Sequence, residues 1–543
     1  MMRASNPWAI RRPAFALAAA VLLTACGSSA PTSSASGAPL TVDIAAAPGT
    51  IDPAQACGEH DVDFISQLYS RLTQYGSTPG PSGTTEFDPA HIVPWLAKSW
   101  TISNDGLVYT FHLHPNAKFD NGDPLDAAAV KYSLERSVNT GGCGSYFVED
   151  GIYGPPPLVG AIDTPDASTV VVHLSQPDAN FLQDLNQPGS AIVDSKIVEA
   201  NGGVVNGKVN TWMQGHVAGS SGPYVLQQYT PGVSAVLAAN PNYFDPPPAT
   251  KKITVNFIPS DSTLLLRARS GAADVTLGMS PQSAHTLVGN ACCKVVADPT
   301  TRSLQVLMPS TSAPLDNVNF RAALTYAVPY QEILSQIAYG YGELFYGPYP
   351  PLMKPQYNAA TEQPRTNDLA RARSLLAQSG VKTPVNLTMI TNGAVPLDNQ
   401  VATILQASWQ QIGVNITINT LATATFETTI NSIQSHPKAY QLAITQDGPG
   451  VIDAGYYLAY DMLCGSAFNA AGICVPGADK LLNQARVTVD GAQRLALYRQ
   501  IIPLWTAASP KIPVIAYDEV TVLSSKMKNY FYSGETAMWT WSS

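Results

Sequence analysis

Val385-Asn386-Leu387-Thr388-Met389-Ile390-Thr391, residues 398–412 and Val414-Asn415-Ile416-Thr417-Ile418 form the decisive pattern in this chain. The first stretch reads as a strand, and in the last apolar and polar residues alternate, the period of two expected of a strand with one buried face. Residues 398–412 instead recur at helical spacing, as an amphipathic helix does. A strand, a helix and a second strand within so short a span predict a β-α-β unit, and with it an α/β fold.

The same two periods extend outward. Residues 40–44 predict a strand. From Asp61 onward Phe64, Ile65, Leu68, Tyr69 and Leu72 share one helical face. Leu107, Tyr109, Phe111 and Leu113 alternate with Val108, Thr110, His112 and His114 ahead of the turn Asn121-Gly122. Asp126 is placed to cap a helix carrying Val130, Leu134 and Val138, and Val170, Val172 and Leu174 predict another strand. A helix from Ser260 stops at Gly271 before a short strand at Val275, and Asn367 is expected to cap a helix ending at Gly380. Residues 440–445 add a strand and 479–507 a helical stretch. There is no fixed-period repeat and no long internal linker, so the parts of the molecule are expected to be built from interleaved segments.

At 543 residues the chain exceeds what one hydrophobic core supports, and 45% apolar content with 13% charged residues is that of a folding polypeptide. The formal charge of −9 becomes −12 if Arg3, Arg11 and Arg12 are removed with a leader. Such a balance disfavours nucleic acid, whose phosphates call for clustered cations. Those three arginines precede the apolar run 14–23 and then Leu23-Thr24-Ala25-Cys26-Gly27, the order of an export signal. The run is too short to span a bilayer. The pentapeptide resembles a bacterial lipobox, which implies cleavage after residue 25 and acylation of Cys26. The Ser/Gly/Ala/Pro-rich stretch through residue 39 then reads as a tether. Six cysteines remain, and structural bridging is expected in an oxidising compartment. Cys464 and Cys474, close in sequence, are the first choice for a pair, while Cys57, Cys143, Cys292 and Cys293 cannot be assigned.

Longer motifs carry a family likeness. Residues 93–100 (VPWLAKSW), 104–113 (NDGLVYTFHL), 118–125 (KFDNGDPL), 129–136 (AVKYSLER), 221–224 (SGPY), 240–244 (NPNYF) and 320–327 (FRAALTYA) occur in order. Together they resemble the family 5 extracellular solute-binding proteins of ABC importers, which include dipeptide, oligopeptide and nickel receptors. That resemblance implies a bilobal periplasmic-binding-protein-like α/β fold of three discontinuous domains hinged about a cleft. Domain I would take residues 40–78, 187–295 and 508–543, domain II residues 79–186 and domain III residues 296–507. It also implies a monomeric, lipid-anchored receptor on the extracytoplasmic face that hands a peptide or other small molecule to a permease and its ATPase. No cofactor is implied.

Peptide-binding relatives hold the ligand ammonium with an aspartate just after a strand of the third domain. On that likeness Asp453 is the first candidate and Asp447 the second, since a buried ammonium requires a charged acceptor. Gln446 stands where relatives carry a tryptophan. Tyr456 and Tyr457 are candidate cleft walls, and Glu59 is a weaker candidate for cation recognition. The sequence departs from peptide-binding relatives in having no arginine between Arg373 and Arg486 to clamp a carboxylate, and in Pro329-Tyr330, which replaces an Asp-Arg pair. Alternatives are therefore a receptor for a metal chelate, sugar or other amine-bearing solute, or a surface protein using the scaffold for signalling or adhesion. No nucleophile elbow, zinc-protease helix or phosphate loop occurs, so catalysis is not expected. His112 and His114 lie on the polar face of their strand and read as solvated rather than metal-binding.

Overall fold

The β-α-β unit is built from strand Val385–Asn392, helix Pro396–Gln410 and strand Val414–Leu421. The two strands pair in parallel from Val385↔Val414 to Asn392↔Leu421. Pro396 starts the helix two residues earlier than expected, because proline at the first helical position loses no hydrogen bond there. Val401, Ala402, Leu405 and Trp409 are buried, and the Trp409 indole donates to the Leu324 carbonyl at 3.0 Å.

The computed structural model describes residues 38–543 except 57, 81–83, 155, 357–365, 434–435, 437, 449, 467–468, 470 and 533–543. Cys26 and Cys57 lie outside the described residues.

Two large sheets organise the described chain. In the seven-stranded sheet, Leu40–Ile44 lies between Lys252–Phe257 and Val275–Leu277 and is parallel to both. The six-stranded sheet contains the β-α-β strands together with Ser303–Leu307, Gly342–Glu343, Leu442–Asp447 and Lys511–Tyr517. A four-stranded antiparallel sheet, built around Val108–Leu113, packs the buried Tyr109, Phe111 and Leu113 on helix Ala127–Thr140. Asp126 caps that helix, accepting from Ala129 N at 3.1 Å.

The backbone passes between the large sheets twice, after Asp298 and after Tyr517. The second passage follows strand Lys511–Tyr517, which belongs to the six-stranded sheet. Lys511–Tyr517 pairs with Ser303–Leu307, and Ile512, Val514 and Ile515 are buried with Leu304 and Val306. An apolar strand of this kind stays with the core that covers it. A correction concerns the helix ending at Gly380, whose cap is Asp368, accepting from Arg371 N at 2.8 Å, and not Asn367.

Helix Glu59–Leu68 buries Phe64, Ile65 and Leu68, and Asp61 accepts from the backbone N–H groups of Gly49 and Gly58. Among the described residues no helix is long and apolar enough to cross a membrane.

Candidate functional site

Residues 142–154 and 178–190 are pressed together where Gly144 meets Gly189. A Cβ on either glycine would overlap the backbone of the other, so no larger residue fits. This contact brings the turn at Asp150 beside Asp178 and Asp184. The segment 450–457 then approaches from the other side. Gln187 Nε2 donates to the Gly450 carbonyl at 2.7 Å, and Ile452 N donates to Gln183 Oε1 at 3.0 Å. Gly450 also sits close, since a Cβ there would stand 2.5 Å from Gln187 Oε1 and the Gln187 side chain would have to move.

Four carboxylates meet in this seam, and each is almost wholly buried: Asp150, Asp178, Asp184 and Asp453. Arg486, the last residue of helix Pro476–Arg486, reaches Asp150 at 2.7 Å and Asp178 at 3.2 Å. Its guanidinium stacks 4.6 Å from the Tyr153 ring, and its carbonyl accepts from Ala179 N. Asp453 caps helix Ala454–Met462: Oδ1 accepts from Gly455 N at 2.7 Å and from the Tyr498 hydroxyl at 2.5 Å. Its Oδ2 has no hydrogen-bond partner and lies 3.6 Å from Arg494. Neither oxygen of Asp184 has a hydrogen-bond partner.

The electrostatics follow from that packing. Burial, reinforced by Asp178 and Asp184, holds the Asp150 carboxyl well above the usual carboxylate range against the pull of Arg486. Burial also raises Asp184, with Asp178 and Asp453 adding to the effect and Arg486 opposing it. Burial lowers Arg486, but Asp150 and Asp178 more than offset it, so its guanidinium is held charged more firmly than usual. Burial and the nearby carboxylates raise the phenols of Tyr153 and Tyr498, which therefore remain donors.

The structure sorts the candidates read from the sequence. Asp453 and Tyr456 lie in this seam. Tyr457 does not: its hydroxyl donates to the Thr301 carbonyl at 2.5 Å and its ring packs edge-on against Tyr349. Gln446 is turned to Asp398, to which it donates at 3.0 Å. Asp447 ends strand Leu442–Asp447 and Glu59 opens the first helix, and both side chains lie outside the described residues. Asp150, Asp178, Asp184, Arg486, Tyr153 and Tyr498 were not anticipated as site residues. The Sγ atoms of Cys464 and Cys474 are 1.83 Å apart and those of Cys292 and Cys293 are 2.11 Å apart. Cys143 is also disulfide-bonded.

A separate groove of about 370 Å³ is lined by Asp120, Asn121, Trp212, His216, Gln228 and Tyr229. It contains none of the candidate residues, and none of its lining side chains is a buried charge without a partner.

The model of the bacterial extracellular solute-binding proteins, family 5, matches residues 91–469, well over half the chain. This chain belongs to that family. Its members are the solute-binding components of ABC importers. Among curated relatives, a probable D,D-dipeptide-binding periplasmic protein of Escherichia coli is 29% identical over 471 residues, covering 85% of each chain. Heme-binding protein A of Haemophilus influenzae is 25% identical, covering 86% of this chain and 85% of its own. Among solved structures, the Helicobacter pylori periplasmic binding protein DppA in complex with the peptide STSA superposes with a TM-score of 0.77 at 22% identity. That superposition covers 92% of this chain and 96% of the other. NikA of Staphylococcus aureus, in complex with Ni(L-His)2, reaches 0.72 at 20% identity, covering 92% of this chain and 98% of its own. The bilobal α/β fold expected from the motifs is therefore the fold of this family 5 protein.

Proposed function

We propose that this family 5 protein is a lipid-anchored receptor that captures an amine-bearing solute of the peptide class and presents it to an ABC permease. In this reading Cys26 carries the lipid, residues 26–39 are the tether, and the chain acts as a monomer on the extracytoplasmic face. The seven-stranded sheet belongs to domain I, the four-stranded sheet to domain II and the six-stranded sheet to domain III, with the two backbone passages as the hinge. Cys464–Cys474 and Cys292–Cys293 serve as structural bridges.

One observation carries the proposal: four buried carboxylates lie where residues 142–190 meet residues 450–498, and among the described residues the cations paired with them are Arg486 and Arg494. Burying unpaired anions is costly, and a ligand ammonium would offset that cost. Closing the cleft removes the pair from water and strengthens each charge-assisted hydrogen bond. Relatives whose names specify dipeptides and di- or tripeptides support the peptide class.

The test is a thermal-shift screen of the mature chain against di- and tripeptides, sugars and metal chelates. A solute at 100 times its dissociation constant stabilises the folded state by about 2.7 kcal/mol. A response confined to sugars or chelates refutes the peptide reading. Anchoring is tested separately, since Cys26→Ser should abolish incorporation of a fatty-acid probe while an ordinary signal peptide would never have incorporated it.

A further inference from the structure

Resting on that reading, we infer that the solute is an organic polycation with at least two separated amine or guanidine groups, one received near Asp453 and another near Asp184. The first reason is charge. Four carboxylates face two arginines, Arg486 and Arg494, and burial holds two of the four, Asp150 and Asp184, above the usual carboxylate range, so further positive charge is needed to bring both into their charged forms. A singly charged ammonium serves only one of them.

The second reason is where the uncompensated oxygens lie. Asp184 is 0% exposed and neither of its oxygens has a hydrogen-bond partner. Asp453 is also 0% exposed, and its Oδ2 has only the Arg494 contact at 3.6 Å. The two residues come from opposite sides of the seam, Asp184 from helix Phe181–Asp184 and Asp453 from the cap of helix Ala454–Met462. Each acts electrostatically on the other's surroundings, and Asp453 contributes to raising Asp184.

The third reason is spacing. Among the described residues, the one group of three or more acidic, histidine or cysteine ligand atoms lying within 4.8 Å of one another is Cys464, Cys474 and Asp479. No three of the seam carboxylates therefore converge on a point, and a single metal ion cannot collect them. An extended molecule with charges at separate positions can. Tyr75, Tyr153 and Tyr498 lie among these carboxylates, which add to the burial that raises their phenols.

The fourth reason concerns the other end of an ordinary peptide. Arg486 is engaged by two carboxylates and a ring, and Arg494 by Asp453, so neither is released to clamp a ligand carboxylate. The seam is built for positive groups.

Calorimetric titration of the mature chain with lysyl-lysine, spermidine and alanyl-alanine at pH 7.5 tests this. The wild type should bind at least one of the first two about 30-fold or more tightly than alanyl-alanine, the ratio expected when a buried charge gains or lacks its partner. Asp184→Asn should weaken the favoured polycation by far more than it weakens alanyl-alanine, and so remove most of that preference. Tighter binding of lysyl-lysine points to a basic peptide, and tighter binding of spermidine to a polyamine.

Equal affinity for alanyl-alanine and both polycations in the wild type overturns the inference and leaves the peptide-receptor reading intact. Binding of none of the three, together with a blank peptide screen, overturns both. The wild-type ratio alone is decisive, so an unstable Asp184→Asn does not spare the proposal.

Discussion

Replacing Arg486 with methionine tests the electrostatic account of the seam most severely. Methionine retains the apolar stem and removes the one cation held at 2.7 Å from Asp150 and 3.2 Å from Asp178. The arginine side chain is only 5% exposed, so solvent screening relieves little of the loss. Removing one partner of a buried ion pair costs about 3–5 kcal/mol, because the remaining charge stays buried. At pH 8 that full cost is expected. At pH 5 it should be smaller, since Asp150 and Asp184 are held above the usual carboxylate range and take up protons more readily. Urea unfolding followed by the fluorescence of the chain's eight tryptophans, at both pH values, provides the measurement. A loss below about 1 kcal/mol at pH 8, or an equal loss at both, would refute the reasoning.

Other consequences separate charge from structure. Asp453→Asn keeps a capping acceptor and removes the charge, so it should cost about 1 kcal/mol or less in stability while weakening an amine ligand by about 2–5 kcal/mol. Asp453→Ala should lose the cap as well, and equal melting temperatures for the two variants would contradict the capping role. Asp298, fully buried at the first passage between the sheets, is pushed up to about 8 by burial, with Glu86, Glu519 and Asp518 adding to it. A carboxyl raised in the folded state contributes stability that is complete below pH ~4 and is lost as pH rises through about 8. The unliganded protein should therefore lose stability between pH 5 and 8.5, by about 5 kcal/mol at most from this group. Asp298→Asn should flatten that slope, and an unchanged slope would remove Asp298 as its source.

How much was legible in the sequence depended on the range of the interaction. Periodicity reports which face a residue presents, and it located the strands around Leu387, Ile416 and Phe111 and the helix carrying Val130 and Leu134. Chain pairing is not local, so the apolar segment 511–517 could not reveal that its partner is Ser303–Leu307. The site lay further out of reach. Asp150, Asp184, Asp453 and Arg486 are separated by up to 336 positions, 486 less 150, and meet only because Gly144 packs on Gly189 and Gln187 reaches past Gly450. Asp453 is a candidate through likeness to relatives, which carries no information on the three acids opposite it. Adjacent residues on a helix point in different directions, so Tyr456 faces the seam carboxylates while the Tyr457 hydroxyl reaches the Thr301 carbonyl.

The most direct test is native mass spectrometry of the mature chain incubated with a cell extract. The account predicts a retained low-mass solute that dissociates on denaturation, and its loss from the Asp184→Asn, Asp453→Asn double variant. A wild-type chain that emerges bare from every extract, or a solute retained equally by the double variant, would contradict capture at this seam.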